Sequence, residues 1–119
     1  MRPAVLAAAC LAASVATAAA QNLGGTYRVS GKTFDGSRYS GTAEVVVTSN
    51  TTCRINWKIG SENWRGICMR NGAVFSAGYK FGNAVGLAIY DIKEDGSLEG
   101  LWTIAEKSGV GTETLTPMR

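Results

Sequence analysis

The side chains that could do chemistry in this 119-residue chain are few, and histidine is not among them. Its absence removes the commonest general base and every Ser-His or Cys-His pairing. The acidic residues of the chain are Asp35, Glu44, Glu62, Asp91, Glu94, Asp95, Glu99, Glu106 and Glu113. Most of them fall at predicted turns or on the polar side of alternating strands, where a solvated surface explains them without a paired-carboxylate site. The sequence therefore indicates a protein that is not an enzyme and needs no cofactor.

Two cysteines flank a predicted β-hairpin. Its turn is Gly60-Ser61, in which the glycine supplies the positive φ of a type II′ turn. Counting outward from that turn pairs Trp57 with Trp64 and Cys53 with Cys68. Directly opposed Cα atoms lie about 4.5 to 5.5 Å apart, which is within disulfide range. We expect a disulfide rather than a metal or redox site, because the spacing is not CxxC and no histidine completes a ligand set.

Three basic side chains share the other face of this hairpin. The register places Arg54, Lys58 and Arg65 together on its outer side. Such a face could bind an acidic partner, and the same charges would also keep the outside of a barrel soluble. The sequence leaves both interpretations open, so these residues form a candidate partner-binding face.

The tryptophans Trp57, Trp64 and Trp102 lie on predicted inward faces. They could stack against a ligand, but small barrels are usually filled by side chains, so core packing is the expectation. The inward set takes the more apolar alternate positions of each strand, and Gly100 joins it. That set is Tyr27, Val29, Ala43, Val45, Val47, Ile55, Trp57, Trp64, Leu98, Trp102 and Ile104.

Short β-rich segments recur along the chain, each closed by a turn containing Gly, Asn, Asp or Ser. Helical periodicity is absent. The predicted strands are approximately 24–33, 38–48, 52–59, 62–70, 73–80, 84–93, 97–106 and 110–117. Because every connection is tight and closure removes exposed edges, we predict an all-β fold, a small eight-stranded antiparallel up-and-down barrel. A two-sheet β-sandwich is the alternative.

The first twenty residues have the pattern of a secretory signal peptide. An apolar run from Ala4 to Ala20 follows the single charge of Arg2, and its small residues predict cleavage after Ala20. Cys10 lies in a weak lipobox-like context, but the leucine before it stands one position too far away, so we expect this cysteine to be discarded with the signal. The prediction is a single domain over residues 21–119, secreted or periplasmic, with no membrane span after cleavage.

Several motifs resemble a family of short exported bacterial proteins with no established activity, some of which carry a fibronectin-binding label. The motifs are Gly25-Thr26-Tyr27-Arg28-Val29, Asp35-Gly36-Ser37, Cys53-Arg54-Ile55-Asn56-Trp57-Lys58, Gly66-Ile67-Cys68-Met69-Arg70-Asn71-Gly72 and Asp95-Gly96-Ser97-Leu98-Glu99-Gly100-Leu101-Trp102-Thr103. The resemblance implies a role outside the cell and assigns no site residues. Gly25-Thr26-Tyr27 and the Asp-Gly turn after it also resemble the opening of avidin-like barrels. That likeness implies the architecture, whereas the tryptophans do not match a biotin pocket.

The charge pattern excludes some partners. The formal net charge is +3, and acidic and basic residues are interspersed, which gives no reason to expect nucleic acid or an acidic membrane surface. The expected function is binding of a protein, glycan or small molecule. A structural or envelope-stress protein without a specific small ligand is the alternative. A ligand-sized pocket would favour the first function, and a barrel filled by its aromatic side chains would favour the second.

Overall fold

The computed structural model describes residues 23–118 of the chain. The predicted signal peptide over residues 1–20, its cleavage after Ala20 and the lipobox-like context of Cys10 lie outside the described residues. Within those described, the structure contains no helix long and apolar enough to cross a membrane.

The described residues form one closed barrel in which every neighbouring pair of strands is antiparallel. The predicted up-and-down barrel is therefore confirmed, and the sandwich alternative is not what forms. Closure comes from pairing of the last strand with the first. The strands are β1 (Gly25–Lys32), β2 (Arg38–Val47), β3 (Thr52–Ile59), β4 (Glu62–Asn71), β5 (Val74–Phe81), β6 (Ala84–Ile92), β7 (Leu98–Ile104) and β8 (Gly111–Pro117).

The β3–β4 hairpin has the predicted register. Gly60 has a φ of 62°, as its turn position requires. Trp57 opposes Trp64, and Cys53 opposes Cys68. The two cysteines form a disulfide across the hairpin with their Cα atoms 4.9 Å apart. The disulfide prediction is thus confirmed.

Two of the connections share a hydrogen bond from the serine backbone N–H to the aspartate two residues before it, which accounts for the repeated Asp-Gly-Ser motif. In the β1–β2 loop, Asp35 Oδ1 accepts from the Ser37 backbone N–H at 3.0 Å and from the Thr33 hydroxyl at 2.6 Å. In the β6–β7 loop, Asp95 Oδ1 accepts from the Ser97 N–H at 2.9 Å and from its hydroxyl at 2.7 Å. The hydrogen bonds to Asp35, of which that from Thr33 has the largest effect, lower its pKa to about 2. The motif therefore closes turns through aspartate side chains.

The barrel has two unlike ends. The β1–β2, β3–β4, β5–β6 and β7–β8 connections share one end, here called the mouth, and the other three connections share the base. The half nearer the base is filled by buried side chains, and the Tyr27 hydroxyl donates to the Leu23 carbonyl there. These side chains are Leu23, Tyr27, Val29, Val45, Cys53, Ile55, Cys68, Phe75, Leu98 and Leu115.

The predicted inward set is largely confirmed by burial. Val47 is the exception at 50% exposure, because it is the last residue of β2 and lies at the rim of the base. Trp64, Trp102 and Ile104 point inward but are only partly buried. The three partly buried residues lie toward the mouth, where the barrel is not filled.

Candidate ligand-binding site

A cavity of about 230 Å³ opens at the mouth of the barrel. Its lining is mostly aromatic and comes from seven of the eight strands and one loop. The lining residues are Thr33, Tyr39, Trp57, Ile59, Glu62, Trp64, Tyr79, Tyr90, Trp102, Ile104 and Glu113. The barrel is therefore packed at its base and hollow at its mouth.

Glu113 of β8 is a buried carboxylate in this cavity, with 7% of its surface exposed. The Tyr39 hydroxyl donates to Glu113 Oε1 at 2.6 Å. The Trp57 indole N–H and the Tyr90 hydroxyl donate to Oε2 at 3.0 and 2.6 Å. The three donors come from β2, β3 and β6, so one carboxylate joins four strands across the interior. Such hydrogen bonds offset the cost of burying this polar group.

Burial raises the pKa of Glu113, and the hydrogen bonds from Tyr39, Tyr90 and Trp57 oppose that rise. Burial also raises the pKa of Tyr39, Tyr79 and Tyr90, and the charge of Glu113 adds to this effect. Because the phenols keep their protons, they remain neutral hydrogen-bond donors at physiological pH.

One side of the cavity is a cluster of four aromatic rings, here called the β3–β5 cluster. Trp57 and Tyr79 have ring centroids 5.0 Å apart, and Trp64 lies edge-on to Tyr79 at 5.7 Å. Phe81 extends the cluster toward the rim, with its centroid 5.0 Å from that of Trp64. The Trp64 indole N–H donates to Glu62 at 3.1 Å, and the Tyr79 hydroxyl donates to a β7 carbonyl. Contacts between the rings and hydrogen bonds from the polar groups of Trp64 and Tyr79 therefore both hold the cluster in place.

The other side has Trp102 between two rings. Its centroid lies 5.1 Å from that of Phe34 and 6.0 Å from that of Tyr39. Among the buried side-chain donors of residues 23–118, Trp102 Nε1 is the one that has no hydrogen-bond partner. It is near enough to the Tyr39 hydroxyl to oppose the rise in the pKa of that tyrosine, although the geometry falls short of a hydrogen bond. A buried indole N–H usually finds an acceptor, so this donor is unusual.

Four of the six aromatic rings that line the cavity lie over glycines on neighbouring strands. A Cβ atom built on any of these glycines would overlap the ring opposite it. Small residues opposite aromatic ones are a known device for bending barrel strands and covering glycine backbone. The pairs are Gly31 with Tyr39, Gly86 with Tyr79, Gly100 with Tyr90, and Gly111 with Trp102.

The structure separates the candidate site residues into two places. Trp57, Trp64 and Trp102 all line the cavity, and Trp57, at 4% exposure, is also part of the core. Arg54 and Lys58, together with Arg65, are exposed on the outside and away from the cavity. Whether that outer face binds a partner stays a prediction.

The interpretation of the acidic residues as solvated is wrong for Glu113. This residue lies between Gly111 and Leu115 on the inward positions of β8, all three buried, while Thr112 and Thr116 point outward. The alternation of β8 was the signal that could have identified it. The lining of the cavity contains no lysine or arginine, and basic side chains as part of a binding site stay a prediction for the outer face of the hairpin.

Among residues 23–118, no three His, Cys, Asp or Glu side chains are grouped in a way that could hold a metal ion. The arrangement at the mouth is instead one of aromatic surfaces around a fixed carboxylate. It can enclose a small molecule and orient it by charge and stacking.

Comparison with known proteins places the fold among small designed barrels. No protein-family model matches the chain, and a search of curated proteins gives no significant match. A redesigned β-barrel, mFAP1, solved bound to DFHBI, is similar with a TM-score of 0.69 and 21% identity over 82% of this chain and 97% of that one. A de novo designed fluorescence-activating β-barrel gives a TM-score of 0.68 at 20% identity, covering 84% and 97% of the two chains.

A further solved structure is also similar, with a lower TM-score. A point mutant of the fluorescent protein UnaG gives a TM-score of 0.52 and 12% identity, over 80% of this chain and 95% of that one. At these identities the similarities show the barrel fold.

Proposed function

We propose that this protein binds a small molecule in the cavity at the barrel mouth. The observation that carries the proposal is the cavity of about 230 Å³, with aromatic rings on two sides and Glu113 within it. A barrel without a ligand would be expected to fill this space with side chains, as the base does.

The size of the cavity limits the ligand. An engineered apolar cavity of about 150 Å³ binds benzene, and pockets for drug-sized ligands are about 300 to 1,000 Å³. A volume of about 230 Å³ lies between these values. The ligand we propose therefore carries one ring or a group of similar bulk.

The site is organised before a ligand arrives. Three hydrogen bonds fix Glu113, and glycines opposite Tyr39 and Trp102 let the rings lie against the strands. A preorganised pocket pays less entropy on binding. The three donors that hydrogen-bond to Glu113 also support an electrostatic role for this carboxylate. That role in turn supports binding without catalysis. Similar barrels bound to DFHBI support the proposal, since they show that the fold can hold a ligand.

An exported location fits this function. A disulfide such as Cys53–Cys68 persists in oxidising compartments, which supports secretion or the periplasm as the place where the protein works. The predicted signal peptide and the resemblance to exported bacterial proteins agree with that location, and both stay predictions.

A cavity-filling variant tests the proposal. Ile104 lines the cavity, so Ile104→Phe adds a ring inside it, whereas Leu101→Phe adds the same ring on the exposed outer face of β7. We expect single-ring compounds to change the tryptophan fluorescence of the wild type and of Leu101→Phe. Ile104→Phe should fold, as judged by thermal unfolding, and lose the response. If no single-ring compound binds, or if binding is equal in both variants, the cavity is not a ligand site.

A further inference from the structure

The charged side chains that line the cavity are of one sign. Glu113 lies inside it and Glu62 at its rim, and no lysine or arginine takes part in the lining. The basic residues of the adjacent strands, such as Lys58 and Lys80, are exposed on the outer surface. The cavity is therefore lined by two carboxylates and by no basic side chain.

The surfaces around these carboxylates also favour positive charge. Trp57, Trp64 and Trp102 are three of the aromatic side chains of the lining. The face of an indole attracts a cation through its quadrupole more strongly than other aromatic faces do, and the attraction grows when water is excluded. Aromatic rings on two sides with a carboxylate between them are complementary to an enclosed cation.

The hydrogen bonds at Glu113 restrict which cation fits. A carboxylate has about four acceptor positions, and the donors Tyr39, Trp57 and Tyr90 use three of them. Little capacity is left for the several N–H donors of an ammonium or guanidinium group, whose burial without hydrogen bonds would be costly. A cation whose charge is covered by alkyl groups needs no such bonds.

We infer that the cavity, if it binds a small molecule as proposed above, prefers an alkylated organic cation such as a quaternary ammonium group carrying one ring. An anion is disfavoured because Glu113 and Glu62 would repel it. The unpartnered N–H of Trp102 offers an anion only one neutral donor. A neutral ligand would gain the stacking but not the attraction of the carboxylates.

Three probes of one shape and different charge test this inference. Phenyltrimethylammonium, tert-butylbenzene and benzenesulfonate each carry a tetrahedral group on a single ring, with positive, neutral and negative charge. Binding to the wild-type protein would be measured by tryptophan fluorescence and by NMR. We expect the cation to bind about tenfold or more tightly than its neutral isostere, as one enclosed cation–π contact would provide. Benzenesulfonate should bind weakest.

Substitution of a rim carboxylate adds a second measurement without disturbing the core. Glu62 is exposed, so Glu62→Gln removes its charge and keeps an acceptor for the Trp64 N–H. Glu44→Gln on the outer face of β2 is the matched control. Glu62→Gln should weaken the binding of phenyltrimethylammonium by about twofold to fivefold, as expected for a partly solvated charge pair. The affinity for tert-butylbenzene should not change. Glu44→Gln should alter neither affinity.

The outcomes separate this inference from the proposed function. If tert-butylbenzene binds as tightly as the cation and Ile104→Phe abolishes both, the cavity is a ligand site and the preference for cations is overturned. If benzenesulfonate binds most tightly of the three probes, the preference for cations is overturned as well. If none of the three probes binds, both the inference and the proposed function fail.

Discussion

The Trp57 indole N–H donates to Glu113 Oε2 at 3.0 Å, and this hydrogen bond connects β3 to β8 across the interior of the barrel. These two strands are not neighbours in the sheet. The residues are 56 positions apart in the chain, so the contact depends on the closure of the whole barrel. A single buried carboxylate thereby couples the stability of the fold to the electrostatics of the cavity.

The ordinary pKa of a glutamate is about 4.5, and Glu113 should make the stability of the protein decrease as pH rises above that value. Because burial raises its pKa in the folded state, the folded protein retains a proton that the unfolded chain releases in this window. Stability therefore falls as pH rises toward the folded-state pKa, by at most about 1.4 kcal/mol per pH unit, and then levels off. The measurement is the free energy of unfolding by urea from about pH 4.5 to neutral pH, for the wild type and Glu113→Gln.

Two features make that comparison specific. The titratable groups that share the cavity with Glu113 are Tyr39, Tyr79, Tyr90 and Glu62, and the raised pKa values of the three phenols keep them neutral throughout the window. Glu44→Gln, on the outer surface, should retain the wild-type pH dependence. A wild type and a Glu113→Gln variant with the same pH dependence would show that the pKa of Glu113 is not raised.

The hydroxyls of Tyr90 and Tyr79 should differ in their contribution to stability. The Tyr90 hydroxyl donates to the buried Glu113 carboxylate, whereas that of Tyr79 donates to the Thr103 carbonyl at 3.1 Å. Hydrogen bonds to charged groups contribute about 1.5 to 3 kcal/mol and neutral ones about 0.5 to 1.5 kcal/mol. Tyr90→Phe should therefore lower the free energy of unfolding more than Tyr79→Phe does. Equal losses in the two variants would argue against an ionised Glu113.

The strands and the β3–β4 register could be predicted from turn residues and side-chain alternation, because both are local properties of the chain. Whether inward rings fill a barrel is not local. Trp57 reaches the core while Trp102 stops at a cavity, and both occupy inward positions of the same kind. Glu113 follows the alternation of β8, but a lone carboxylate among threonines resembles a solvated residue until its donors on other strands are known.

The disulfide should be complete in protein exported through its own signal. Cys53 and Cys68 are bonded and buried, so alkylation without reductant should label neither. The bond closes a loop with a sequence separation of 15 residues, and reduction should lower the free energy of unfolding by about 3 kcal/mol. A Cys53→Ser/Cys68→Ser double variant is the control, since reductant should leave its stability unchanged. Labelling of either cysteine in unreduced protein would contradict the prediction.

Gly111→Ala should disturb the cavity more than the small size of the added methyl group suggests. A Cβ atom at this position would overlap the Trp102 indole, with 2.6 Å to its Nε1, whereas a Cβ at Gly78 of β5 would meet nothing closer than 3.8 Å. Neither glycine has a positive φ, so the two alanine variants differ in the space around them and not in backbone strain. Gly111→Ala should cost about 1 to 3 kcal/mol of stability, as other overpacked positions do. Gly78→Ala should stay within about 0.5 kcal/mol of the wild type.

The same pair of variants should separate an effect on the shape of the cavity from an effect on the stability of the fold. Because Trp102 lines one side of the cavity, its displacement in Gly111→Ala should shift the tryptophan emission spectrum and weaken binding of single-ring compounds. Gly78→Ala keeps the indole in place and should bind as the wild type does. Both measurements are made at a temperature where thermal unfolding shows each variant to be folded. If Gly111→Ala is destabilised but binds its probes with unchanged affinity, Trp102 supports the barrel without contacting the ligand.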